Sequence, residues 1–364
     1  MWIDRARAGR YLRAGWRWAR LLAPPRAAST GTRVFYGHDR IPEDGEPAAG
    51  GTAKFQRLAR RFPNSSTDFN LLYLGSTWLP RDLGPLLRLT QRRGIPVVVN
   101  QDGIAYPGWA GEATDQLNAR NRLALEAADH VLFQSRFSKE SSDLFLGERV
   151  GRWEILYNAV DVDHFTPAGA APNDGPVLLL GGDQTQAYRL ELALRTFAHV
   201  LEAEPAARLL VAGRLVSSAL PLLAELGIGE RVELVGRYSQ RDAPALIRRA
   251  HLLLHTKVKD PCPSAVIEAM ACGLPVVYPA SGGTVELVGA EAGVGVPHPD
   301  SWERDEPPTP EALAEAVVTV LAARPSYAAA ARKRAVERFS LEPWLERHEE
   351  LFSELTPRPR SRPS

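Results

Sequence analysis

Short, almost unbroken apolar runs recur along the chain, separated by longer stretches in which apolar residues return every three or four positions. TRVFYGH (32–38), NLLYLGS (70–76), IPVVVNQ (95–101) and HVLFQS (130–135) read as strands, with helices predicted over about 82–93 and 113–128. A second series follows: VLLLGG (177–182), ARLLVAG (207–213), RVELVG (231–236), HLLLHT (251–256) and LPVV (274–277) as strands, with helices over 188–203, 217–226 and 242–250. Strands this apolar are buried on both faces, and their alternation with helices predicts parallel sheets covered on both sides. TPAGAAPNDGP (166–176), rich in turn-forming residues, separates the two series as a linker.

The expected fold class is therefore α/β, with two doubly wound parallel-sheet, Rossmann-like domains facing across a cleft. The first spans 31–165 and the second 177–335. A C-terminal helix over 336–355 could pack back on the first domain, and 356–364 reads as a disordered tail. Ligands of such sheets bind at the carboxyl ends of the strands, which puts the site in the cleft.

Residues 1–30 form a separate segment. Arg7, Arg10, Arg13, Arg17 and Arg20 share one helical face, and Tyr11, Leu12, Trp16, Trp18 and Leu22 fall opposite. This is a basic amphipathic pattern, weakened by Gly9 and Gly15. It fits a solvated or domain-packed helix, a peripheral contact of residues 1–22 with an anionic membrane, or a targeting peptide.

Composition narrows the function. The 364 residues are 45% apolar, ample for two cores, and the formal net charge of +1 argues against a nucleic-acid partner held by bulk charge. Cys262 and Cys272 are the only cysteines and stand outside any ligand-spaced set, so neither a disulfide framework nor a metal site is expected. No apolar run approaches the roughly 18 residues needed to span a bilayer, and a cytoplasmic location, peripheral at the inner face of the membrane if residues 1–22 bind it, is the default expectation.

The chemistry concentrates in DPCPSAVIEAMACGLPVV (260–277). Pro261 biases Asp260 towards an extended loop, Pro263 suits a first helical turn, and Gly273 suits the C-terminal cap. Glu268 is the sole charged residue of that buried helix. It either offsets the helix dipole or pairs with an arginine, or else accepts hydrogen bonds from a ligand's hydroxyls. One strand later, Gly282 and Gly283 within PASGGTVELVG offer a turn whose amides could cradle a diphosphate, although most such pairs are only turns.

The run from VGRYSQRDAPALIRRA through PASGGTVELVG resembles the donor-binding region of the retaining glycosyltransferases of family 4, which have the GT-B fold. AADHVLFQSRFSKE and ILYNAVDVDHFTP are similar to the same family, and the likeness covers most of 31–355. It implies transfer of a sugar from a nucleotide diphosphate sugar to an acceptor hydroxyl, on a glycan or lipid-linked, with retention at the anomeric carbon and with no cofactor or metal. The alternative is a catalytically silent nucleotide-sugar-binding protein. By this resemblance Glu268 binds the donor ribose, Asp260 contacts the transferred sugar, Ser281, Gly282, Gly283 and Thr284 hold the diphosphate and sugar, and Gly50 and Gly51 approach the phosphates.

The chain departs from the family pattern at several points. The Glu-x7-Glu pair is here Asp260 and Glu268, and Pro263 replaces the usual glycine. The basic pair that neutralises the diphosphate is absent from GGDQTQAYRLE, leaving Arg189, Lys257 and Lys259 as cations, with Arg189 readable equally as a surface helix residue. Asp102 stands where a histidine is usual. It could act catalytically by accepting hydrogen bonds from sugar or acceptor, or simply form an Asp-Gly turn. His38 is a weaker candidate.

Overall fold

The computed structural model describes residues 31–43, 45, 46, 48, 50–167 and 175–356. The amphipathic segment 1–30, most of the linker and the tail 357–364 lie outside the described residues.

Two parallel sheets form the frame. The first runs β1 (Val34–Phe35), β2 (Leu71–Gly75), β3 (Val97–Gln101), β4 (His130–Phe133) and β5 (Trp153–Ile155), in that spatial order. Every neighbouring pair is parallel, with Leu72–Gly75 in register with Val97–Asn100. Alternate side chains enter opposite cores. Leu72 and Leu74 pack with Val97 and Val99 beneath helices Leu83–Arg93 and Thr114–Glu126, while Leu71 and Tyr73 pack with Phe55 of helix Ala53–Ala59 and with helix Leu341–Leu355.

The second sheet contains β6 (Val177–Leu180), β7 (Arg208–Ala212), β8 (Val232–Gly236), β9 (Leu252–Leu254), β10 (Val276–Pro279) and β11 (Gly293–Val296), in the order β11-β10-β9-β6-β7-β8. The winding direction reverses between β6 and β9, and the crevice at such a switch point is where doubly wound sheets take ligands. Leu178, Leu180, Leu252 and Leu254 face helices Ala187–Ala203 and Pro310–Ala322, and Leu179 and Leu253 face helices Ser264–Ala271 and Arg324–Phe339.

The structure differs from the sequence reading at a few elements. The helix expected over 217–226 is a 3-10 turn, Ser217–Ala219, and a single turn, Leu222–Glu225. Pro221 lies between them and cannot donate a backbone hydrogen bond. The helix expected over 242–250 is regular only over Ala243–Ile247. The edge strands β5 and β11 escape the apolar-run criterion. WEI is mixed and partly exposed, and GVGV is half glycine, with Gly293 so close to Val276 that a Cβ would strike its carbonyl oxygen.

The chain crosses between the sheets near Val160 and returns near Ser340, where the Val160 amide donates to the Phe339 carbonyl at 2.8 Å. Ser340 is extended (φ −62°, ψ 141°), which breaks the C-terminal stretch into Arg324–Phe339 on the second sheet and Leu341–Leu355 on the first. The final helix is anchored by Trp344, Leu351 and Phe352, all buried, and by His348, whose Nε2 lies 3.2 Å from the Tyr73 hydroxyl and whose Nδ1 lies 2.8 Å from the Trp344 carbonyl.

Leu351→Ala is expected to destabilise the first domain by about 2–5 kcal/mol, seen as a lower urea midpoint. Burial pushes the His348 pKa down to about 4. The unfolded chain therefore binds a proton that the folded one refuses below about pH 6.5, and stability falls as the pH drops from there towards 4, by on the order of 3 kcal/mol from this group. Denaturation titrations across that range should show a shallower slope for His348→Gln than for the natural sequence.

Candidate functional site

The carboxyl ends of both sheets open onto one interdomain cleft of about 1190 Å³. Gly181, Gly182 and Asp183 enter it from the end of β6, and His255, Lys257, Lys259 and Asp260 from the loop after β9, the two strands flanking the switch point. Gly51, Thr77, Asp102 and Tyr106 line the opposite wall from the first domain.

Asp260 precedes helix Ser264–Ala271, as its two prolines dictate. Its Oδ2 lies 3.3 Å from Lys257 Nζ and 3.7 Å from His255 Nε2. Burial raises the carboxyl's pKa, but Lys257 and Arg189 outweigh that effect and hold it below the usual carboxylate range. Burial also drives His255 down to about 3, so the imidazole beside Asp260 is neutral and the contact is not an ion pair. The same loop carries the one non-glycine residue with positive φ among those described, Lys259 at φ 50°. A left-handed backbone costs roughly 1–2 kcal/mol and persists only where the surroundings enforce it. Here the Lys259 amide is held by Ser281 Oγ at 3.1 Å and its ammonium by Asp305 at 3.4 Å.

Glu268 lies one helical turn deeper and lines the cleft. Its Oε1 accepts a hydrogen bond from Arg57 Nη2 of the first domain at 2.8 Å, and both side chains are buried. Burial raises the Glu268 pKa, and Arg57 and Gln240 oppose the rise. The arginine partner that the sequence left open therefore exists, and it comes from the other domain.

Arg189 is not a surface residue. It is buried in the cleft wall, with Nη1 donating to the Asp183 carbonyl at 2.7 Å and Nε buried without a protein acceptor. Lys257 is about one-third exposed on the same wall. The Ser281–Thr284 turn lies one layer behind the cleft. A Cβ at Gly282 would come 2.6 Å from the Asp260 carbonyl oxygen, and one at Gly283 would collide with that of Pro261, so these glycines let the 259–261 segment lie across them. That segment and the first turn of the following helix, Ser264 and Ala265, face the cleft instead.

Asp102 follows β3, and its carboxylate is fully engaged. It accepts from Ser76 Oγ (2.7 Å), the Thr77 amide (2.8 Å), Thr77 Oγ1 (3.0 Å) and Lys54 Nζ, which also donates to Asn100 Oδ1 at 2.6 Å. Burial acts to raise its pKa, but Lys54, Ser76 and Thr77 hold it below the ordinary value. Gly50 opens the 3-10 turn Gly50–Thr52, and Gly51 packs so closely that a Cβ would sit 2.7 Å from Asp102 Oδ2. His38 stacks on Trp78 with ring centroids 3.7 Å apart and does not line the cleft.

Several residues at or behind the cleft carried no sequence signal. Arg57 and Lys54, which do not line the main cleft, sit in AKFQRLARRF. Tyr106 donates to Asp305 at 3.0 Å across the domains, and Trp302, from the loop after β11, packs against Phe137, Phe145 and Tyr106 at centroid distances of 5.6, 5.1 and 5.3 Å. Asn158 donates to the Cys262 carbonyl at 2.8 Å, also between domains. Among the described residues no group of three or more His, Cys, Asp or Glu side chains is placed to hold a metal ion, and no helix is long and apolar enough to cross a membrane.

Residues 162–337 match the family described as Glycosyl transferases group 1. The chain is 26% identical to D-inositol 3-phosphate glycosyltransferase 1 of Catenulispora acidiphila over 58% of its own length and 56% of that protein. It is 32% identical to D-inositol 3-phosphate glycosyltransferase of Mycobacterium bovis over 57% and 46%. The matched segments thus span about half the length of these curated relatives. Among solved structures, Anabaena HepE in complex with UDP and glucose superposes with a TM-score of 0.70 at 16% identity, covering 89% of this chain and 100% of that one. Sucrose-phosphate synthase from Thermosynechococcus elongatus gives 0.66 at 20% identity, covering 84% and 76%. The chain has the GT-B fold, and its second domain matches the model of the glycosyl transferases group 1.

Proposed function

We propose that the protein is a glycosyltransferase that moves a sugar from a nucleotide diphosphate sugar to an acceptor hydroxyl, with retention of configuration. The observation that carries this reading is the placement of Asp260 and Glu268, eight residues apart, in one cleft at the switch point of the second sheet, with Arg189 and Lys257 beside them. A donor carries ribose hydroxyls, two phosphates and a sugar, and these side chains offer a partner for each. Glu268 accepts from the ribose. Arg189 and Lys257 take the place of the family's basic pair at the diphosphate, aided by the orphan amides of the helix that starts at Ser264. Asp260 faces the transferred sugar.

In the chemical step the acceptor oxygen attacks the anomeric carbon while its bond to the diphosphate oxygen breaks. That electron pair stays on the leaving diphosphate, which also takes the acceptor's proton on the same face. The cations stabilise the charge that develops there, and no metal is required. Asp102, with its oxygens held by four donors and its pKa depressed, is a positioning residue: it fixes Thr77 on the acceptor-side wall, with Gly51 packed against it and Lys54 buried behind. The acceptor is a hydroxyl of a glycan or of a lipid-linked molecule, and the arginine face of residues 1–22 would bring a cytoplasmic enzyme to an anionic membrane. The relatives that act on inositol phosphate and the neighbour that binds UDP-glucose set the first compounds to try.

Turnover of UDP-glucose and other nucleotide sugars, followed by mass analysis with inositol phosphates and glycans as acceptors, tests the reading; nucleotide binding without any turnover would instead indicate a silent binding protein. Glu268→Gln is expected to weaken nucleoside diphosphate binding in calorimetry by about tenfold or more, since a hydrogen bond to a charged group contributes about 1.5–3 kcal/mol. An unchanged affinity removes the ribose role. Activity is expected to survive EDTA, and loss that a divalent ion restores would contradict the metal-free step.

A further inference from the structure

Arg57 belongs to the first domain, yet its guanidinium ends on Glu268 of the second, 211 positions away, at 2.8 Å. It reaches Glu268 from the side away from the donor cleft. Glu268 and Gln240 line the main cleft, whereas Arg57 lines a smaller cavity of about 350 Å³ behind them, together with Arg60 and Asp161. The guanidinium thus backs the carboxylate and leaves the face turned to the cleft open for a ligand. We propose that Arg57 is a positioning residue for nucleotide binding: it orients Glu268 and keeps it ionised for the ribose hydroxyls, so that the donor site is complete only when the first domain is closed against the second.

This rests on the ribose role of Glu268 given above and adds a dependence that the second domain alone would not have. The groups facing Glu268 are few. Arg57 comes from helix Ala53–Ala59, Gln240 and Tyr238 from the segment after β8, and Cys272 from the end of its own helix. Burial drives Tyr238 well above its ordinary pKa and Cys272 up to about 12, so neither titrates near neutrality. Gln240 is neutral and 3.3 Å from Arg57 Nη2. Among the described residues Arg57 is therefore the sole cation in contact with Glu268. Without it, burial acts unopposed by charge, Glu268 takes up a proton, and a protonated carboxyl is a poorer acceptor for two hydroxyls.

The test is calorimetric binding of UDP, GDP and ADP to the full chain between pH 7 and 9, where a nucleotide's terminal phosphate, with a pKa near that of a phosphoryl group at about 6, stays ionised. The natural sequence should bind one of them with an affinity that changes little with pH. Arg57→Met should bind it about tenfold more weakly at pH 7 and recover most of that loss by pH 9, the direction set by deprotonation of Glu268. Arg57→Lys, which keeps the charge, should stay close to the natural affinity with a flat profile. If Arg57→Met does not fold by thermal melting, Arg57→Gln carries the same expectation. Equal affinity at every pH in the neutral variants overturns the proposal while leaving the ribose role in place. Tighter binding also overturns it, making Arg57 a competitor for the ribose site. Failure of the natural protein to bind any of the three nucleotides removes both readings.

Discussion

A parallel strand buried on both faces has no position for a polar side chain along its length, and this constraint shapes the whole molecule. VLLL, LLL and VVYP in the second sheet and LLYLG in the first are committed to packing from end to end. In the central strands polarity gathers towards the carboxyl ends. In β3 the sequence turns from Val97–Val99 to Asn100 and Gln101 and then Asp102, and after β9 it turns from Leu254 to His255, Lys257 and Asp260. Both sheets face their carboxyl ends towards each other, so these polar ends share a single cleft. Chemistry is confined there because the rest of each strand is occupied.

Such a cleft places charges in a medium that penalises them, and the molecule answers with partners drawn from both domains. Glu268 has Arg57, Lys259 has Asp305, and the Asp102 carboxylate has Lys54 with three further donors. Glu286 shows the same logic outside the cleft, accepting from the Arg136 and Phe137 amides and the Tyr157 hydroxyl of the first domain. A lone buried charge costs several kcal/mol, so each of these groups is tolerable only while its partner is in place. The first domain thus supplies the second with a counter-charge, Arg57, as well as a wall.

Much of this frame was legible in the sequence, because apolar runs of four or five residues admit few readings once they alternate with helices. The Asp260–Glu268 spacing was legible too, since two prolines and a lone carboxylate in an apolar helix are local signals. What escaped depends on distance and on sidedness. Nothing in AKFQRLARRF says that Arg57 and Lys54 turn inward, because a basic helix is ordinarily a solvated one and their partners lie 211 and 48 positions away. The Gly282–Gly283 turn reads in the sequence as an amide cradle for a diphosphate or simply a turn, and only the packed structure tells that the chain's own Asp260–Pro261 backbone lies against it. Trp302 lies in a proline- and acid-rich loop whose pattern gives no hint of the aromatic pocket it enters.

The choice of polar rather than apolar contacts across the cleft has a further physical consequence. An apolar interface loses its full burial energy when it parts, whereas a buried ion pair that separates into water recovers the hydration of both ions and so regains much of what closure cost. Opening between Arg57 and Glu268 therefore carries a far smaller penalty than deleting either side chain in the closed form, where the survivor stays dry and unpaired. Domains that must part to admit a donor and release a nucleotide are better joined by such contacts. Trp302, packed among Phe137, Phe145 and Tyr106, adds an apolar contact to these polar ones.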